Sequence, residues 1–254
     1  MELIVLGSGC GIPSLQRGAP GHLVLVEQEP LLFDSGSGTL VRLLQYGVHY
    51  TRLRHVFYTH PHSDHTADLV PLIQALRTTP HYQRTESLHL YGPKGLRQFL
   101  EDLAQAFGAW LIAPGFPLQI HELSQDRLEF SHWTIESQPV AHHRSAIGYR
   151  VSGKDGRSIV YSGDTDFCPE IIELARQTDL LLLECSFADD QKVAGHLTPT
   201  EAAQIAAQAG CKQVILTHLY PPYDELERQI VQRFKQWHPT ATVTAAQDLM
   251  RIRL

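Results

Sequence analysis

Apolar positions along the first forty residues come in strand-length runs rather than helical spacing. "LIVLG" (3–7), "HLVLVEQ" (22–28) and "PLLFDSG" (30–36) are separated by Gly and Pro, which reads as consecutive β-strands. "GTLVRLLQYG" then switches to apolar residues at helical spacing and stops at a glycine. "LRHVFYTH" predicts a strand that ends in histidine, and "TADLVPLIQALRT" a helix after it. "LHLYG" predicts a strand and "KGLRQFLEDLAQAFG" a helix with a glycine stop. A strand-rich stretch follows, then the hairpin "GYRVSGKDGRSIVYSGD", the helix "PEIIELARQ" and the strand "DLLLLE". In "TPTEAAQIAAQAG", Thr198, Pro199 and Glu201 form a capping box with Pro at the first turn, and Gly210 ends the helix. "QVILTH" is a strand, "ELERQIVQRFKQW" a helix, and "ATVTAAQ" with "MRIRL" final strand material. Two groups of strands with helices between them, and no Pro/Gly/Ser-rich linker, predict one layered α/β domain.

Several of these strands end on a reactive side chain: Asp34, His60, His142, Asp164, Glu184 and His218. Loops held by a rigid scaffold at strand ends are where sites are built. The densest is "FYTHPHSDHTADL", in which His60, His62, Asp64 and His65 form H-x-H-x-D-H. Imidazole nitrogen and carboxylate oxygen are the donors that borderline cations such as Zn²⁺ prefer. The i, i+2 spacing lets His60 and His62 reach one ion, while Asp64 and His65 point elsewhere, toward a second. A two-metal site needs further donors, and a carboxylate to bridge. "VYSGDTD" offers Asp164, "VILTHL" offers His218, and "PVAHHRSAIGYR" offers His142 or His143. Taken singly, each has a plain alternative: a turn aspartate for Asp164, a satisfied core histidine for His218.

Composition narrows the picture only a little. With 21 Lys+Arg against 27 Asp+Glu, the net charge of -6 argues against an indiscriminate nucleic-acid clamp. It leaves room for a nucleic acid gripped at a local basic patch. The 4 cysteines include no C-x-x-C pair, which fits free thiols in a reducing cytoplasm. No run of eighteen apolar residues predicts a membrane span, and "MELIVLGSGCGIP" lacks a signal-peptide pattern. "LGSGCG" lacks G-x-G-x-x-G spacing, so it reads as a tight turn beside the site rather than a nucleotide cradle.

The ordered set of motifs resembles the metallo-β-lactamase superfamily of dinuclear metallohydrolases, and more closely its ribonuclease Z-like branch. The stretches concerned are "GSGCGIPSLQR", "LLFDSGSGT", "FYTHPHSDHTADL", "LYGP", "AHHRSAIGYR", "YSGDT", "IIELARQTDLLLLECSF", "GHLTPTEAAQIAAQAG" and "VILTHLYPPY". The resemblance implies an α/β fold, a four-layer αββα sandwich in a single domain spanning 1–254. It implies that His60, His62 and a lone histidine hold one metal, that Asp64, His65 and His218 hold the second, and that Asp164 bridges. The lone histidine precedes the Gly of "GYR" by six positions in the family, which points to His142 and leaves His143 beside it. Glu184 and His196 stand where relatives carry an acidic residue and a histidine that protonates the leaving group. Asp64, Glu184 and His196 are therefore the candidate catalytic residues, and Asp34 is a carboxylate beneath the metals or a simple turn residue.

The cofactors expected are two Zn²⁺, with Mn²⁺ or Fe²⁺ able to use the same donors. The expected reaction is attack of a metal-bridging hydroxide on a phosphodiester, with a small phosphodiester or RNA as substrate, in a cytoplasmic homodimer. Two departures bear on the substrate. The branch that matures transfer RNA carries a protruding arm before the "GDT" turn, where this chain has only "GYRVSGKDGRSIVYSGDT". Ser37 stands where the family commonly has Glu. Two other functions stay open: hydrolysis of a lactone, thioester or sulfate ester at the same metals, with Tyr149, Tyr220 or Tyr223 polarising the carbonyl, and a non-catalytic binding protein.

Overall fold

The computed structural model describes residues 1–254, the side chain of Asp224 excepted. Along the chain, β1 (Glu2–Gly7), β2 (Gly21–Val26), β3 (Glu29–Phe33), α1 (Thr39–Tyr46), β4 (His55–Phe57), α2 (Ser63–Thr66), α3 (Leu69–Thr78), β5 (Leu88–Pro93), α4 (Leu96–Phe107) and β6 (Leu118–Leu123) come first. The second half holds β7 (Arg127–Glu129), β8 (Trp133–Pro139), β9 (Ile147–Gly153), β10 (Ser158–Tyr161), α5 (Pro169–Leu174), β11 (Leu180–Glu184), α6 (Pro199–Ala209), β12 (Gln213–Thr217), α7 (Tyr223–Trp237), β13 (Thr242–Ala245) and β14 (Arg251–Arg253). The strands form two seven-stranded sheets, ordered β14-β1-β2-β3-β4-β5-β6 and β13-β12-β11-β10-β9-β8-β7.

Alternation along each strand explains the layering. In β1, Leu3 and Val5 face the core between the sheets, while Ile4 and Leu6 face the outer core under α1, α3 and α4. In β11, Leu180 and Leu182 face inward and Leu181 and Leu183 face α5, α6 and α7. Strands apolar on both sides need cover on both sides, and helices supply it. The result is the four-layer αββα sandwich.

Two expectations need adjustment. The helix read across 66–78 is broken between α2 and α3. Asp68 turns its carboxylate away to accept the N–H groups of Gly38 and Leu40 at the start of α1, and its own N–H donates to Ser35 O. Pro71 then falls in the first turn of α3, where a missing N–H costs nothing. The closing strands also part company, β13 joining one sheet and β14 crossing to pair antiparallel with β1 in the other.

Both sheets contain runs of parallel strands, β3–β4–β5 in one and β10–β11–β12 in the other. Parallel strands place their carboxyl ends on one edge, and ligands bind in the crevice beyond that edge. The reactive residues at or just beyond the ends of β3, β4, β10, β11 and β12 are thereby set on common edges.

Leu182, fully buried between the sheets, and Val41, 60% exposed on α1, separate core from surface. Leu182→Ala is expected to cost roughly 2–5 kcal/mol in urea unfolding. Val41→Ala should stay within about 0.5 kcal/mol, and equal losses would overturn the assignment of this core.

Candidate metal centre

Each donor is delivered by a distinct local device. After β4, His60 follows Tyr58 and Thr59 out of the strand, and α2 carries Asp64 and His65 on its single turn. After β10 the chain turns at Gly163, with φ +58, to present Asp164. A Cβ at Gly163 would lie 2.6 Å from Thr59 Cβ, so both the backbone and the space demand glycine. His218 follows β12 in the left-handed region at φ 58, a conformation few non-glycine residues hold.

These residues converge. His62 Nδ1 lies 3.0 Å from His60 Nε2 and 3.2 Å from His142 Nε2. Asp164 Oδ2 is 3.6 Å from His60 Nε2 and 3.7 Å from His142 Nε2, completing one group of four donors. In a second group, His65 Nε2 lies 3.3 Å from His218 Nε2, and Asp64 Oδ2 lies 3.4 Å from His218 Nε2. Asp164 reaches this group as well: Oδ1 is 3.2 Å from His65 Nε2 and Oδ2 is 3.4 Å from His218 Nε2. Donors bound tetrahedrally at about 2.0–2.2 Å from one ion sit roughly 3.3–3.6 Å from each other, so this spacing suits divalent cations.

Hydrogen bonding outside the cluster decides which ring nitrogens are bare. Tyr161 Oη and Thr59 Oγ1 each donate to Asp34 Oδ2 at 2.8 Å, and His65 Nδ1–H donates to the same oxygen at 2.8 Å. With its own proton spent, Thr59 Oγ1 accepts from His60 Nδ1 at 3.0 Å. Ser186 Oγ likewise donates to Glu184 Oε2 at 2.7 Å and accepts from His218 Nδ1 at 3.0 Å. His142 Nδ1–H donates to Gly195 O at 2.8 Å. Four histidines thus hold a proton on Nδ1 and aim Nε2 inward, the usual arrangement of ligating histidine. Asp164 Oδ1 is buried without a hydrogen-bond donor. Lone pairs and carboxylates facing one another at these distances call for a cation, and the donor set fits a metal.

The electrostatics agree. Burial disfavours charge on His60, and the neighbouring His65 adds to this, holding the imidazole well below its ordinary pKa. Burial works the same way on His142 and on His62, where His142 adds to it. For His65, burial is outweighed by the carboxylates of Asp164 and Asp34, which hold its pKa well above the usual value. Burial of Asp164 is in turn outweighed by His218 and His65, leaving its carboxyl well below the ordinary range. A bound metal would take the place of the proton that His65 otherwise keeps between two carboxylates.

Glu184 is fully buried and accepts from Thr165 N at 2.7 Å, Leu197 N at 3.0 Å and His196 Nδ1 at 3.0 Å. His196 therefore turns its other nitrogen away from Glu184, and its ring lies 4.8 Å from that of His142. His143, by contrast, stands outside both donor groups and bonds Ser145 Oγ at 3.2 Å. Gly11 lies beside Asp64, a Cβ there being 3.4 Å from Oδ2, so the "LGSGCG" turn does border the site. Of the tyrosines, Tyr149 is buried and donates to Tyr58 O, Tyr223 lies under Arg17, and Tyr220 has its ring 5.6 Å from His218.

Thr59, Tyr161, Ser186 and Gly195 were not singled out in the sequence. Thr59, Tyr161 and Ser186 lie within three residues of singled-out positions, in "YTH", "VYSGD" and "ECSF". That adjacency was the available signal; Gly195 adjoins His196 as well, but a backbone carbonyl is common to every residue and its residue type marks nothing.

Comparison with known proteins matches this architecture. Residues 31–219 fit the model of the beta-lactamase superfamily domain, so the chain belongs to that superfamily. Its curated relatives place it in the ribonuclease Z-like branch. It is 30% identical over 280 residues to the Ribonuclease Z of Bacillus velezensis, covering 88% of this chain and 89% of that protein. Against the Ribonuclease Z of Pyrococcus horikoshii it is 29% identical over 274 residues, covering 88% and 87%. Among solved structures, the metallo-beta-lactamase fold protein YhfI from Bacillus subtilis superposes with a TM-score of 0.82 at 25% identity, covering 99% and 98% of the two chains. The human short form of tRNase Z gives 0.77 at 26% identity, covering 100% and 99%. Among the described residues, no helix is long and apolar enough to cross a membrane.

If Asp34 sets the tautomer and angle of His65, Asp34→Asn should weaken metal binding about 10–100-fold in chelator competition and lower the melting temperature as well. Unchanged affinity in the folded variant would contradict that role.

Proposed function

We propose that this chain is a dinuclear zinc phosphodiesterase that cleaves RNA or a small phosphodiester. The single observation that carries the reading is Asp164, whose carboxylate lies within 3.7 Å of donors from both groups. In this reading His60, His62 and His142 hold one ion, Asp64, His65 and His218 hold the other, and Asp164 serves both. The chemistry supplied by two bound divalent ions is Lewis acidity, with charge drawn from phosphoryl oxygens and a lowered pKa for coordinated water. Relatives named Ribonuclease Z support the choice of bond.

The departing alkoxide needs a proton, and in this reading His196 gives it. Burial disfavours the imidazolium, but the hydrogen bond and charge of Glu184 outweigh this and raise the pKa above its ordinary value. A raised pKa favours the imidazolium, the form a general acid requires. Glu184 also orients it, since Oε1 accepts from Nδ1 and leaves Nε2 free to face substrate. Asp64 stays ionised: burial raises its pKa, but the hydrogen bond with His218 and the charge of His65 bring it below the ordinary value. An ionised Asp64 suits a ligand that orients water.

β9 and β10 turn directly through Asp155 and Gly156, leaving no arm between them. With the net charge of -6, long-range attraction to a folded RNA is weak, so the substrate is gripped near the scissile bond. Tyr220 favours a second reading: a phenol near the donors would suit a carbonyl substrate, so a lactone or thioester is the alternative.

Zinc-loaded protein should turn over bis(p-nitrophenyl) phosphate and an alkyl diester faster than a lactone; the reverse order would favour the alternative. His196→Ala should keep its metal and slow the alkyl diester about 10²–10⁴-fold, while the nitrophenyl ester changes little. The fall in rate as pH rises through the His196 pKa should vanish in the variant. Equal slowing of both esters would remove the general-acid role.

A further inference from the structure

The second aspartate of "VYSGDTD", Asp166, stands two residues after the carboxylate that both donor groups share, yet it belongs to neither group. Its backbone N–H donates to Ala141 O at 2.6 Å, and Thr165 Oγ1 accepts from Ala141 N at 3.3 Å. Residues 165 and 166 thereby engage both polar groups of the residue just before His142. The Asp166 side chain reaches the other way. Oδ2 accepts from Gly195 N at 2.8 Å, and Oδ1 accepts from Lys192 Nζ at 2.6 Å. Lys192 Nζ also donates to His196 O at 2.5 Å and to Glu201 Oε2 at 2.6 Å. An ammonium carries three protons, and here each finds an acceptor.

What hangs on these bonds is the turn 193–196. Val193 and Ala194 are exposed, so burial does not hold the turn on that side, and the fully buried Leu197 anchors only its far end. Gly195 sits at φ +89, and a Cβ there would lie 3.0 Å from His142 Nδ1, so the turn meets that ring at close quarters. Gly195 O accepts from His142 Nδ1, and His196 Nδ1 donates to Glu184 Oε1. A shift of the turn therefore moves a candidate ligand and the candidate acid together. Glu201 is itself fixed by the capping box of α6, where Oε2 accepts from Thr198 N at 3.0 Å, which ties Lys192 to a rigid element. Ion pairs this close to solvent add little to folding stability. A misplacement of about 1 Å, by contrast, can cost roughly 10²-fold in rate, so position is what these bonds have to offer.

We propose that Asp166 and Lys192 are positioning residues, which together fix the 193–196 turn so that the Gly195 carbonyl meets His142 and the His196 ring faces the scissile bond. The His196 half of the inference rests on the phosphodiesterase reading. The His142 half rests on the donor geometry alone. One internal ion pair, bridging the chain after β10 and the loop before α6, thus sets a ligand and an acid at once.

The test is chelator competition for zinc, together with steady-state turnover of an alkyl diester, in the full chain and its variants. Lys192→Met should lose about tenfold in zinc affinity and about tenfold in kcat, with KM within about twofold of wild type. Asp166→Asn should lose as much, and the double variant no more than either, since both changes cut the same link. Lys192→Arg keeps the charge and the donors, so it should recover most of both losses. All of these variants should keep the wild-type circular dichroism, because an exposed ion pair contributes little to folding. Wild-type affinity and turnover in Lys192→Met, losses that add in the double variant, or an arginine variant no better than the methionine one would overturn the positioning role. A chain that hydrolyses no diester yet loses zinc affinity in Lys192→Met would discard the phosphodiesterase reading and keep the positioning of His142.

Discussion

The structure depends on what one buried carboxylate does. Asp34 is inaccessible to solvent and accepts four hydrogen bonds, from Thr59 N, Thr59 Oγ1, His65 Nδ1 and Tyr161 Oη. Three come from the segment that follows β4 and the fourth from β10, in the other sheet. An unpaired charge at that depth would cost several kcal/mol, so all four donors must arrive together. Asp34 accordingly takes a backbone with φ 52, which its short side chain tolerates better than most. Clamping the two sheets and fixing the proton of His65 are the same event. Metal binding on this scaffold is therefore tied to correct docking of its halves.

From that clamp outward, the histidine donors other than His62 are each held by a partner one bond further away. Thr59 fixes His60, Ser186 fixes His218 and the Gly195 carbonyl fixes His142. The loop that supplies Gly195 is itself tied down, since Asp166 Oδ2 accepts from Gly195 N while Lys192 joins Asp166 to Glu201. The lone pairs are thus aimed before any ion arrives, and little reorganisation is left to oppose binding. Glu184 serves both sides of the site by holding Ser186 and His196, which couples the orientation of a metal donor to that of the candidate acid.

Much of this was legible in the sequence, for physical reasons. The run in "DLLLLE" marks a strand covered on both faces, and the capping box at Thr198 and Glu201 marks the start of α6. The convergence of the seven candidate donors was legible because imidazole and carboxylate at strand ends are unusual without a ligand to share. Less visible was anything decided by distant partners. "LRHVFYTH" reads as an eight-residue strand, but only His55–Phe57 pairs as β4 before the chain peels away to deliver His60. The break at Asp68 follows from its bonds to Gly38 and Leu40, which no local pattern reveals. Hydroxyls and carbonyls that set a tautomer, such as Ser186 Oγ and Gly195 O, carry no periodicity.

Were two cations bound, Asp164 would stand between them. The most direct measurement is metal content by mass spectrometry, after equal dialysis of wild type and Asp164→Ala against zinc. Two ions per chain are expected in the wild type, and loss of both in the folded variant. A wild type that holds none, or a variant that keeps both, would contradict it.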